Sequence, residues 1–275
     1  MTSFAALGTG CDVGVGTGWC GVVTPAREPP AAWVLTVVTT GPGQTWTVAI
    51  ESGTAPNITI DWGDGVVGTY TTLGDKIHTY AVAGIWSPKI SGSFASNGNI
   101  RLGKDILNSF RLTATGVVPP IAGLSNFYRT FAECTNLATL PVDLFRYNTA
   151  VSTSGFIETF SWCSELASLP ADLFRYNTEC SLFIGTFRGC DKLQLRSDMF
   201  FRPEEAGTRF FNRASNFASF AQVGGFTGTQ GTAPALWTCN FGSGVSVTRA
   251  DCFAGHTPAS VSNYASIPTA WGGPA

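Results

Sequence analysis

Charge is scarce in this chain: only 12% of its residues are Asp, Glu, Lys or Arg, sixteen basic against eighteen acidic, and no run of one sign occurs. A basic patch for nucleic acid is therefore not expected. No apolar run approaches the roughly 20 residues that a membrane-crossing helix needs, so membrane insertion is not expected either and the chain reads as soluble. Long stretches of Ala, Glu, Lys and Leu are also missing, which argues against long helices.

Catalytic equipment is equally thin. Hydrolytic chemistry usually needs a nucleophile beside a base, yet the sequence has two histidines, His78 and His256, which fall in segments of different character. There is no Cys-x-x-Cys pair and no closely spaced pair of His, so zinc is unsupported. The glycines at 14, 16 and 18 lack the preceding strand, following helix and acidic ribose ligand of a phosphate loop. The expectation is a protein that is not an enzyme and holds neither metal nor cofactor.

Gly is abundant at 32 residues, Ser and Thr are frequent, and Phe and Trp are well supplied, a mixture that favours strands and turns. A length of 275 residues suggests two modules, each able to bury its own core.

Residues 1–32 read as a Gly-rich arm and a stiff spacer, Thr24-Pro-Ala-Arg-Glu-Pro-Pro-Ala, whose prolines cannot donate backbone hydrogen bonds. Cys11 and Cys20 are spaced to close a small disulfide loop or to remain two free thiols. The N-terminus carries no Lys or Arg before Arg27 and its apolar stretch is broken by glycines, so it does not read as a secretory signal.

From residue 33 to 93 the pattern turns to strands, as in Trp33-Val-Leu-Thr-Val-Val, Thr45-Trp-Thr-Val-Ala-Ile and Asn57-Ile-Thr-Ile-Asp-Trp, separated by Gly- and Pro-bearing turns. Within it, Ile60-Asp-Trp-Gly-Asp-Gly followed by His78-Thr-Tyr-Ala-Val-Ala-Gly-Ile-Trp resembles the polycystic-kidney-disease (PKD) domain, with Trp86 in the usual place of a tyrosine or phenylalanine. The resemblance implies an immunoglobulin-like β-sandwich and structural roles for Asp61, Trp62, Gly63, Asp64, Gly65, His78 and Tyr80. Two carboxylates fall short of the 6 to 8 oxygens that calcium prefers, so Asp61 and Asp64 read as turn caps in preference to calcium ligands.

Residues 94–275 contain an internal repeat. Phe131-Ala-Glu-Cys-Thr-Asn-Leu-Ala-Thr-Leu-Pro-Val-Asp-Leu-Phe-Arg-Tyr-Asn-Thr returns 29 residues later from Phe160, and a third copy, Phe187-Arg-Gly-Cys-Asp-Lys-Leu, follows after 27 more. Each copy offers one apolar edge, too little to fold alone, so stacking must complete the core. The register places Phe131, Phe160 and Phe187 in one column. It does the same for Cys134, Cys163 and Cys190, for Leu137, Leu166 and Leu193, and for Asp143, Asp172 and Asp198. Pro141 and Pro170 are expected to start short helical turns with the Asp near the positive end. Arg146, Tyr147, Arg175 and Tyr176 form either a contact stripe or, as the favoured alternative, surface stacking between repeats. The segments after residue 202 read as divergent and capping repeats.

The unit of Phe, two variable residues, Cys, Leu and a Leu-Pro step resembles the BspA-like leucine-rich-repeat surface proteins over about residues 124–202. The expected fold class is thus mainly β with short helices, a PKD-like β-sandwich followed by a leucine-rich-repeat solenoid. Display without a secretory signal points to a phage virion structural protein: a capsid decoration, head fibre or tail-associated component at the virion surface. Its arm would bind other virion proteins, its repeats a host-surface receptor or glycan, and it is expected to be a homo-oligomer within the assembly. The rival is a bacterial cell-surface leucine-rich-repeat adhesin, which the repeat resemblance alone favours.

Overall fold

The fold was analysed in a computed structural model. It describes residues 28–104, 110–151, 154–170, 173–174, 176–177, 180, 182–195, 217–219, 231–233, 235–238, 246–248, 252–253 and 255–275. The arm with Cys11 and Cys20 lies outside the described residues, as do Asp172, Arg175 and Asp198.

The chain is mainly β with few helical residues. Nine strands form a largely antiparallel sheet that does not close: β1 (Trp33–Thr39), β2 (Gln44–Thr54), β3 (Asn57–Asp61), β4 (Val67–Tyr70), β5 (Gly74–Tyr80), β6 (Gly84–Trp86), β7 (Lys89–Arg101), β8 (Leu112–Thr115) and β9 (Ala122–Asn126). Strict alternation drives β1: Trp33, Leu35, Val37 and Thr39 are buried while Val34, Thr36 and Val38 point away. Its first two residues pair with β7 and the rest with β6 and β8, so one strand ties two parts of the sheet together.

The boundary expected at residue 93 falls inside β7. The run Ser91-Gly-Ser-Phe-Ala-Ser-Asn-Gly-Asn has the composition of a linker, but Ile90, Phe94 and Ile100 are buried along it, and β7 pairs with β2 and β3 and, in parallel, with β9. Two further strands, β8 and β9, lie beyond that boundary, so the sheet runs on to residue 126.

After β9 the chain winds in stacked turns, called rungs below. The amides of Phe127, Arg129, Phe131 and Glu133 donate to the carbonyls of Gly155, Ile157, Thr159 and Ser161 in the next rung at 2.7 to 3.2 Å. Those of Glu158, Phe160 and Trp162 donate in turn to Ile184, Thr186 and Arg188 at 2.6 to 2.9 Å. This every-second-residue pattern requires each rung to turn twice through left-handed backbone, at Arg129 and Glu133, Glu158 and Trp162, and Gly185 and Gly189. A second ladder joins Ala138 to Ala167 and Ala167 to Gln194, and parallel bridges carry it from Leu195 to Gly231 and from Gly231 to Val261.

Stacking aligns the aromatic side chains. Phe131 and Phe160 lie 5.2 Å apart and Phe160 and Phe187 5.7 Å, with ring planes 6° and 1° from parallel, close to one strand spacing. Phe127, Phe156 and Phe183 make a second column at 5.7 and 6.0 Å. Trp33 meets Phe131 edge-on at 5.7 Å, so the core under the sheet runs unbroken into the rungs.

The short helices expected after the Leu-Pro steps are absent where the structure describes them. From Val142 to Tyr147 the chain is a series of turns, with Asp143 in the left-handed region at a φ of 62°, which interrupts any right-handed helix. Helical residues among those described are confined to 3-10 turns at Leu236–Thr238, Tyr264–Ser266 and Thr269–Trp271. No helix among them is long and apolar enough to cross a membrane.

Leu166 is fully buried in the middle of the stack. Replacing it with alanine should cost about 2 to 5 kcal/mol, the range for emptying a packed leucine site, measured by denaturant unfolding. A loss within experimental error would contradict the packing described.

Candidate functional site

The first candidate is the turn between β3 and β4. Asp61 Oδ1 accepts from the Gly63 amide at 2.9 Å and Asp64 Oδ1 from the Val66 amide at 3.1 Å, two aspartate-capped turns in sequence. Gly63 and Gly65 take φ values of 86° and 95°, where a side chain is strained. Asp64 Oδ2 lies 2.7 Å from His78 Nε2, and the imidazole is stacked on Trp62 at 4.9 Å and set edge-on to Tyr80 at 4.7 Å. Tyr80 in turn donates to the Trp62 carbonyl at 3.0 Å and stacks on Trp86 at 4.8 Å.

Burial works against ionisation of Asp64, but the hydrogen bonds from His78 and Val66 outweigh it and hold the carboxyl below its ordinary value. Burial, reinforced by the charges of Asp64 and Asp61, pushes the Tyr80 hydroxyl well above its usual value. The fourth carboxylate oxygen, Asp61 Oδ2, stands 3.5 Å from Lys89 Nζ. All four oxygens are thus engaged by the chain itself, and among the described residues no cluster of His, Cys, Asp or Glu has the makings of a metal site. The chemistry available here is fixation of a turn.

The second set is the repeat core. Phe131, Cys134, Leu137, Phe160, Cys163, Leu166, Phe187, Cys190 and Leu193 are all fully buried. Cys163 Sγ donates to the Phe131 carbonyl and Cys190 Sγ to the Phe160 carbonyl, each at 3.1 Å, so these two thiols bond to the rung before them. Thr159 and Thr186 repeat the device, their hydroxyls donating to Phe127 and Phe156 at 2.9 and 2.8 Å. Desolvation raises the pKa of Cys134, Cys163 and Cys190, and pushes Cys180, outside that file, up to about 11. The thiolate is the reactive form, so these sulfurs are protected.

The third candidate is a cleft of about 320 Å³ where the sheet meets the first rung. Pro30, Ala32, Val34 and Val117 supply apolar walls, and Glu28, Asp143, Arg146 and Tyr147 bring polar groups to it. Arg146 Nη1 lies 3.2 Å from Asp143 Oδ2, and its guanidinium stands 5.8 Å from the Tyr147 ring and 5.4 Å from that of Tyr176. Three of the four residues read as a contact stripe are therefore brought together, with Arg146 stacking across the rungs; Arg175 lies outside the described residues. Apolar walls with a few convergent polar groups at a junction are the usual form of a small binding site.

Two features escaped the sequence reading. Asn148 and Asn177 form a buried column, in which Asn177 Nδ2 donates to the Asn148 carbonyl at 2.8 Å and Asn148 Nδ2 to that of Pro119 at 3.1 Å. The identical Arg-Tyr-Asn-Thr endings of two copies carried that signal. Trp162 is half exposed in left-handed backbone, and nothing in the repeat alignment marks it.

No protein-family model, no curated protein and no solved structure matches this chain.

Asp64→Asn should lower stability by about 1 to 3 kcal/mol near neutrality, the scale for hydrogen bonds to a charged group. Because the folded carboxyl titrates below 3.8, its contribution is complete above that pH and is lost as pH falls through the depressed value. Urea titrations of the two proteins should therefore converge in acid; a gap that stays constant down to the lowest pH would remove the Asp64–His78 pair as its cause. Separately, alkylation followed by peptide mapping should leave Cys134, Cys163 and Cys190 unmodified in native protein and modify all three in denaturant. Native labelling of any one would contradict its burial.

Proposed function

We propose that this chain is a non-catalytic structural component of a phage virion, in which a PKD-like β-sandwich carries a leucine-rich-repeat solenoid that presents its outer edges for assembly or host-surface binding. The observation that carries the reading is the ladder of rungs, which consumes backbone groups, thiols and threonines internally and leaves the turn corners outward. A scaffold of that kind supports contact surfaces and offers its buried nucleophiles to nothing. The Arg146 cleft is the contact point on it in this reading, since Arg and Tyr are enriched in binding hot spots.

In this reading residues 1–23 fasten the chain to other virion proteins. Deleting them should abolish incorporation into particles while leaving the melting transition of the purified protein in place. The rival reading, a bacterial cell-surface adhesin, is favoured by the BspA-like unit itself, whose relatives are associated with attachment. Mass spectrometry of fractionated extracellular material separates the two. Co-migration with virion components supports the proposal, and co-migration with bacterial envelope overturns it in favour of the adhesin.

A further inference from the structure

Trp162 sits at a φ of 63°, the only aromatic residue among the described non-glycine residues with positive φ. The rung sets this left-handed conformation, which a bulky side chain adopts only under strain. Its equivalents one rung before and one rung after are Glu133 and Gly189, so the rung geometry does not call for an aromatic. The charged residues in the same conformation are anchored: Arg129 lies 3.1 Å from Glu133 and 3.3 Å from Glu158, and Asp143 is paired with Arg146. Trp162 has half of its surface in water.

The indole is nevertheless held in place. Its six-membered ring is seated on Gly189 so closely that a Cβ there would fall 2.4 Å from Cε3, and its amide donates to the Arg188 carbonyl. The Arg188 guanidinium lies 5.8 Å from the ring centroid. Glu158, four residues earlier, leans in the same way over Gly185. The two glycines make a low step on the third rung, over which an aromatic ring, a carboxylate and a guanidinium converge.

We propose that Trp162, Arg188 and Glu158 form a shallow subsite for a neutral pyranose of a surface glycan. The C–H face of a pyranose is drawn to the electron-rich face of an indole, and its hydroxyls accept from a guanidinium and donate to a carboxylate, charge-assisted bonds that fix orientation. A sulfated sugar fits less well, since its anion would meet the Glu158 carboxylate that leans over Gly185. The inference deepens the display reading by naming what an outer edge holds. The two fail separately, because glycan binding is measured on purified protein and incorporation on particles.

The test is an array of neutral oligosaccharides containing glucose, galactose, mannose and N-acetylglucosamine, probed with the full chain, followed by calorimetric titration of the best binder. Trp162→Ala should weaken binding at least tenfold, Trp162→Phe should retain part of it, and Arg188→Gln should weaken it. Trp162→Asn, which suits left-handed backbone, should lose binding yet melt at or above the wild-type temperature. Absence of binding by the wild type, or binding indifferent to Trp162→Ala, would overturn the proposal. So would a Trp162→Asn protein destabilised as far as Leu166→Ala, which would mark the ring as structural.

Discussion

The hydrogen bonds from Phe131 to Thr159 and from Phe160 to Thr186 hold successive turns of chain at one strand spacing, and the other regularities of the stack descend from that distance. At that separation phenylalanines of equal register lie ring over ring. The thiol three positions after the phenylalanine and the hydroxyl one position before it each reach a carbonyl of the preceding rung, and Asn177 does the same to Asn148. Backbone carbonyls thereby satisfy these buried donors without charge, while the side-chain oxygens of Asn148 and Asn177 and the Thr130 hydroxyl find no partner among the described residues.

A stack of this kind needs a first layer, and β7 supplies it. Asn99 Nδ2 donates to the carbonyls of Asn126 and Tyr128, the Leu102 amide donates to Thr130 at 2.7 Å, and Gly103 lies so close to Ala132 that a Cβ would fall 1.9 Å from its carbonyl oxygen. The Arg101 guanidinium adds an ion pair to Glu133 at 3.3 Å. One strand thus belongs to the sheet along most of its length and to the ladder at its end. The join carries backbone hydrogen bonds and shared core in place of a hinge.

Much of this was legible in the residues. The spacing of Phe, Cys and Leu identified a column for each, because side chains that must stack recur with the period of the stack. The Trp-Gly-Asp-Gly turn was legible because its glycines and aspartates do one local job. The extent of β7 was not, since Ser, Gly and Asn dominate its composition and only three buried apolar side chains, set at intervals of 4 and 6, betray it. The helical turns after Pro141 failed for a related reason: proline and aspartate mark a helix start only when the following backbone stays right-handed, and Asp143 does not. The Arg146 cleft joins residues more than a hundred positions apart, beyond the reach of any local pattern.

Because both ladders run between like positions, a rung has no memory of its place in the stack. Duplicating the 29-residue unit from Phe131 would add one more layer, about 4.8 Å of height, without altering either end. Units of 29 and 27 residues already stack in the same way, so a small change of length is absorbed between the ladder positions. Recombination between the near-identical copies would then lengthen or shorten the stack in whole steps.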